Sequence, residues 1–176
     1  MLRRTILKLP AVPVVLGAST KAPQIDAKAP RLHVWLQTSL QRVFPNSPAA
    51  DRNHLDLLSA RNQRLSFQVC VRNDSEREVA VECQLAGPPE IEARVRRVGY
   101  VPLPHHTTQT PVSDLDGIGH VPGLVPDPLF PEQSSSVGPL ETQSFWVSLF
   151  VPANAAPGKK ELAVKMLGKP NKSSLR

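Results

Sequence analysis

Gln143-Ser-Phe-Trp-Val-Ser-Leu-Phe-Val-Pro152 alternates with a period of two residues. On an extended chain Phe145, Val147, Leu149 and Val151 fall on one face, and Ser144, Trp146, Ser148 and Phe150 on the other. That is a strand with one side in a core. A proline-rich stretch, Val121-Pro-Gly-Leu-Val-Pro-Asp-Pro-Leu-Phe-Pro131, and a serine-rich gap come before it, and Ala155-Ala-Pro-Gly158 comes after. After Pro157-Gly158 the alternation resumes at Leu162, Val164 and Met166.

The same period runs upstream. Leu32, Val34 and Leu36 alternate with His33, Trp35 and Gln37, and Pro45-Asn46-Ser47-Pro48 then supplies a strong turn signal after the short run Arg42–Phe44. Leu55, Leu57 and Leu58 begin a strand or a short helix. Leu65, Phe67, Val69 and Val71 share one face, with Ser66, Gln68, Cys70 and Arg72 on the other. The polar run Asn73–Arg77 then predicts a hairpin turn into a return strand whose apolar face is Val79, Val81, Cys83 and Leu85. Ile91, Ala93 and Val95 alternate with Glu92, Arg94 and Arg96, and the phase slips at Arg96–Arg97, which predicts a β-bulge there. From Tyr100 to Glu141 there is no period, and the reading is one long loop rich in Pro, Gly, His and Asp. Seven or eight strands joined by short turns, with no convincing amphipathic helix, predict an all-β antiparallel sandwich.

The chain has 176 residues and a net charge of +6. That charge sits at the ends. Residues 1–31 hold six Lys/Arg against one Asp, and residues 159–176 hold six against one Glu, so each end carries +5 and the body between them −4. A nucleic-acid-binding face needs its basic residues clustered on the fold itself, so the expectation is no nucleic-acid partner. No stretch approaches the roughly 20 apolar residues of a membrane-spanning helix. The order Arg3-Arg4-Thr-Ile-Leu-Lys8, an apolar run Leu9–Leu16 and small residues Gly17-Ala-Ser19 is that of an export signal, and the paired arginines resemble a twin-arginine leader. The plainer alternative is a basic tail. The expected organisation is an export signal and flexible linker at 1–30, a β-sandwich at 31–167 and a disordered tail at 168–176. The 19 prolines follow no repeat and are scattered through loops, which excludes a collagen-like scaffold.

Chemistry-bearing residues are sparse. Cys70 and Cys83 are the two cysteines. With Cys70 on the polar face and Cys83 on the apolar face of paired strands, their sulfurs point to opposite sides of one sheet. A bridge needs Cβ atoms about 4 Å apart, so two free thiols are expected, Cys83 buried. His105, His106 and His120, with Asp114 and Asp116, lack the spacing of a zinc or calcium site. Glu90 and Glu92 lie on a loop and a strand's polar face, and no carboxylate pair flanks an evident sugar cleft. No nucleophile elbow or phosphate-cradling loop is present. The expectation is no catalytic residue, no metal and no cofactor.

Three aromatics stand out: Trp35, Trp146 and Phe150. Trp146 and Phe150 lie opposite the apolar face of their strand, and a large outward pair suggests a covered surface. Three covers are open: the chain's own residues 101–141, another domain, or a stacked sugar ring.

Three blocks carry a family resemblance over roughly Val34 to Met166. They are Leu58-Ser-Ala-Arg-Asn-Gln-Arg-Leu-Ser-Phe-Gln68, the Pro126-Asp-Pro-Leu-Phe-Pro131 stretch, and Gln143-Ser-Phe-Trp-Val147 with its Val-Pro and Pro-Gly exits. In this order they resemble the N-terminal β-sandwich module of bacterial glycoside hydrolase family 123 and its relatives, with Gln63 where the family usually has Glu. The resemblance implies an exported bacterial protein whose sandwich packs against a catalytic (β/α)8 barrel. It also implies a β-N-acetylgalactosaminidase activity that uses the substrate's acetamido group beside an adjacent Asp-Glu pair in that barrel. That pair has no counterpart in this sequence, so no catalytic residue carries over and the chain by itself is expected not to be an enzyme. The expected function is a non-catalytic module with a barrel partner. The alternative is a stand-alone carbohydrate-binding or immunoglobulin-like module, with a glycan as partner of the former.

Overall fold

The computed structural model describes residues 5–10, 31–115 and 117–170. Eleven strands run in chain order: β1 (Thr5–Pro10), β2 (Leu32–Thr38), β3 (His54–Ser59), β4 (Gln63–Asn73), β5 (Val79–Ala86), β6 (Glu92–Leu103), β7 (Gly123–Phe130), β8 (Ser134–Val137), β9 (Thr142–Val151), β10 (Lys160–Glu161) and β11 (Ala163–Pro170). A single 3-10 turn, Val112–Asp114, is the helical element among the described residues. The architecture is an all-β sandwich. One layer is a five-stranded antiparallel sheet in the order β2-β4-β9-β6-β7. Two three-stranded sheets, β11-β5-β8 and β10-β1-β3, face it, and β1–β10 is the one parallel pairing among the described residues.

The alternation explains the layers. Phe67 pairs with Val147 and Val69 with Phe145 across β4–β9, and all four are fully buried. Opposite them lie Val79, Val81 and Cys83 of β5, Val164 and Met166 of β11, Val137 of β8 and Leu55 of β3. These residues form one continuous core, which is what two half-apolar sheets can bury. β4 is buried on both faces over Phe67–Val71, as a central strand should be.

The predicted β4–β5 hairpin does not form. β4 pairs with β2 and β9, whereas β5 pairs with β11 and β8 in the other layer. The connection crosses the sandwich, and Asn73 holds the corner. Its Nδ2 donates to the carbonyls of Arg77 (2.7 Å), Val137 (3.0 Å) and Gly138 (3.0 Å), and its Oδ1 accepts from Ser75 N–H (3.0 Å) and Oγ (2.5 Å). Its backbone N–H donates to Glu141 O at 2.9 Å. The 138–141 turn thus takes the place that β5 would have had. Two free thiols are found, Cys83 buried as expected and Cys70 buried as well, but on different grounds: they lie in opposite layers rather than on two faces of one sheet.

The segment from Tyr100 to Glu141 is not one loop. It contains the end of β6 and all of β7 and β8. β7 carries Pro126 and Pro128, and it is an edge strand, where a missing N–H costs no ladder bond. The irregularity expected at Arg96–Arg97 lies further on, where the β6–β7 register shifts between Val98 and Tyr100. The residue between them is Gly99, and a Cβ there would collide with the Phe130 ring. Arg42–Phe44 forms no strand. At the ends, Thr5–Pro10, read from sequence as part of a leader, pairs as β1 with β3 and β10, and β11 continues through Gly168–Pro170, residues assigned to the tail. Arg3, Arg4 and the run from Ala11 to Ser19 lie outside the described residues.

Candidate functional site

The outer face of the five-stranded sheet is where the polar halves of β4, β9 and β6 meet. Cross-strand register sets out its rows: Gln68–Trp146–Arg96, then Ser66–Ser148–Arg94, then Arg64–Phe150–Glu92. One end of this face is strapped by residues 39–53. Gln68 is buried, and its Nε2 donates to Thr38 O (3.0 Å) and Gln41 O (2.6 Å). Thr142 N–H donates to Pro45 O at 2.7 Å, its hydroxyl donates to Ser47 O at 2.7 Å, and Leu36 N–H donates to Arg52 O at 2.7 Å. The strap carries Val43 onto Trp35 and Cys70, forming a small second core. A loop with this many backbone bonds is part of the fold rather than a mobile cover.

Between the strap and β7 lies an open groove of about 270 Å³. Trp146, Gln68 and Val98 come from the sheet, Ser39, Gln41, Arg42 and Val43 from the strap, and Pro126, Asp127 and Leu129 from β7. The three sequence-chosen aromatics therefore part company. Trp146 is half-buried in the groove. Trp35 is only 2% exposed and presents no ring face to solvent, so it is a core residue and not a stacking platform. Val43 of the strap packs against it, while β7, part of residues 101–141, walls the groove over Trp146. Phe150 lies at the far row, with the Arg64 guanidinium 4.8 Å above its ring centroid. The cation occupies the face that a ligand would use.

The groove residues reached by sequence reasoning stop at Trp146. Asp127 falls in the Pro126–Pro128 stretch, which has no apolar period to give it a direction. Edge-strand geometry now turns it toward the groove. Arg42 and Gln41 carried no signal, because an irregular strap has no period.

The other sequence candidates are dispersed. His120 stacks on Phe44 at 3.7 Å and contacts Asn46 Oδ1 at 2.8 Å. Gly117, at a φ of +82°, permits the turn under it. Asp114 ends the 3-10 turn and bonds to Ser113 Oγ, Asp116 lies outside the described residues, and His105 is exposed. Among the described residues no three His, Cys, Asp or Glu side chains converge as a metal site. Glu90 accepts from Lys160 Nζ at 2.6 Å, which lowers its pKa. Glu92 pairs with Arg94 at 3.0 Å. Burial pushes the Cys83 thiol up to about 12 and raises Cys70 further, so neither is a thiolate nucleophile near neutral pH. Tyr100 is also raised by burial, and its hydroxyl donates to Thr142 O at 3.1 Å.

No family model matches the chain, and no curated protein matches it. Among solved structures, a family 123 glycoside hydrolase from Clostridium perfringens, described for glycolipid glycan hydrolysis, is similar at a TM-score of 0.46 and 11% identity. The alignment covers 78% of this chain and 27% of that one, so this chain spans about a quarter of that protein's length. Among the described residues no helix is long and apolar enough to cross a membrane.

Proposed function

We propose that this chain is a non-catalytic β-sandwich module of a glycoside-hydrolase-like protein of the β-N-acetylgalactosaminidase type, whose catalytic barrel lies outside these 176 residues. The observation that carries this reading is where the three resembling blocks fall. Gln63–Gln68 is on β4, Gln143–Val147 on the adjacent β9, and Pro126–Phe130 on β7 of the same five-stranded sheet. Gln63 also fits. Its Oε1 accepts from Ala60 N–H at 2.8 Å and closes the β3–β4 turn, with Asn62 at a φ of +57°. A Glu carboxylate would accept the same bond, so the departure at this position leaves the turn's chemistry in place.

The module is proposed to act as an exported protein, and removal of a leader would take β1 from between β3 and β10. N-terminal sequencing of protein recovered from the cell envelope reads this directly. The functional test is an assay with p-nitrophenyl β-N-acetylgalactosaminide. The 176-residue chain is expected to give no turnover. The chain extended by whatever its genomic locus encodes beyond the Arg176 codon is expected to give turnover. Hydrolysis by the short chain alone, or unrelated sequence after that codon, would overturn the module reading.

A further inference from the structure

We propose that the groove over Trp146 is a binding site for one neutral hexopyranose ring. Its floor is the half-buried Trp146 indole, with Val98 and the buried Gln68 beside it and Leu129 on the β7 side. A pyranose has one face of C–H groups, and an aromatic ring is the usual complement to it. Its rim is polar and carries both hydrogen-bonding roles. Asp127 is an exposed carboxylate with no side-chain partner among the described residues, and it accepts only. Ser39 and Gln41 line the same groove and carry donors. A carboxylate with two free oxygens receives a pair of neighbouring hydroxyls in the way it receives a bidentate donor.

Charge and size narrow the class. The exposed Asp127 carboxylate lines the groove and repels a second anion, which favours a neutral sugar over a uronate or a phosphate ester. The volume of about 270 Å³ is just below the usual range of small-molecule sites and suits a single ring rather than a chain. The walls are also formed in advance. Trp146 stands on β9 in the centre of a five-stranded sheet, β7 is stiffened by Pro126 and Pro128, and Gln68 ties the strap at residues 38 and 41. A site already shaped needs little ordering when a ligand arrives. One stacked ring in an open groove corresponds to a dissociation constant on the order of 1 mM.

The chain's two tryptophans make the test clean. Trp35→Phe leaves Trp146 as the sole indole fluorophore. This chain is titrated with methyl β-D-glucopyranoside, methyl β-D-galactopyranoside and sodium glucuronate, to roughly a hundredfold above the expected constant. A saturable change in Trp146 emission with at least one neutral pyranoside is expected, weaker or absent with glucuronate, and weakened about tenfold or more by Asp127→Ala. No saturable change with either pyranoside, a preference for glucuronate, or an Asp127→Ala response equal to the parent would each overturn the proposal. Because Trp35 is buried, its replacement can loosen the strap. The same titration followed on the two indole N–H resonances of the unmodified chain gives an independent answer, expected to move Trp146 and not Trp35. The titration uses the chain alone, so its failure leaves the module reading standing, and the reverse also holds.

Discussion

Asn73 and Ser144 show how much one polar side chain decides in this interior. Asn73 is fully buried and all its hydrogen-bonding capacity is used across three segments of chain. Truncating it leaves three carbonyls without their donor. Asn73→Ala is expected to destabilise the fold by about 2–4 kcal/mol in urea unfolding, more than a surface residue of the same type. Ser144 is the opposite case. Its Oγ is buried with no partner among the described residues. Removing an unsatisfied hydroxyl relieves its desolvation cost, so Ser144→Ala is expected to be neutral or to stabilise by up to about 1 kcal/mol. A loss above about 1 kcal/mol would mean that the hydroxyl has a partner in solution. Neither role was legible in the sequence. Asn73 read as the first residue of a solvated turn, and Ser144 as one more outward serine.

Among elements, β6 and β7 separate what is packed from what is only paired. β6 bonds to β9 over Glu92–Arg97, and its continuation to Leu103 pairs with β7 alone. Val101, Leu103 and Leu124 are exposed on this two-stranded ribbon. A two-stranded extension with this much apolar surface in water is marginal. Amide exchange at Val101–Leu103 is therefore expected to be at least about a hundredfold faster than at Phe145–Leu149, which sit in the sheet centre. Equal protection would show that another surface covers the ribbon. Alternation placed β2, β4, β5, β9 and β11 correctly, because each has one face in the core. It missed β7 and β8, because prolines and serines on an edge strand carry no apolar period. It also paired β4 with β5 wrongly, since a period of two assigns faces and says nothing about which strand lies alongside.

For the whole molecule, the two buried thiols give stability a pH dependence. The Cys83 pKa is raised by burial from 9.0 to about 12, and Cys70 is raised in the same direction. The unfolded chain binds fewer protons than the folded one between these values. The thiols' contribution is thus complete below pH 9 and is lost as pH rises toward 12, at about 1.4 kcal/mol per pH unit for each thiol. Urea midpoints at pH 8 and pH 10 are expected to show this fall, and Cys83→Ala to reduce its slope. The native thiols should resist a disulfide reagent at pH 8 and react fully once unfolded. A flat profile with rapid thiol labelling would place the sulfurs at the surface. The sequence by itself determined the fold class, the faces of the main strands and the outward direction of Trp146. Those follow from local alternation and from side-chain chemistry. Only the tertiary structure decided the partners of β4 and β5, the burial of Trp35 beneath residues 39–53, and the meeting of Asp127, Arg42 and Trp146 in one groove. Those depend on which segments lie side by side in space, and no local period encodes that.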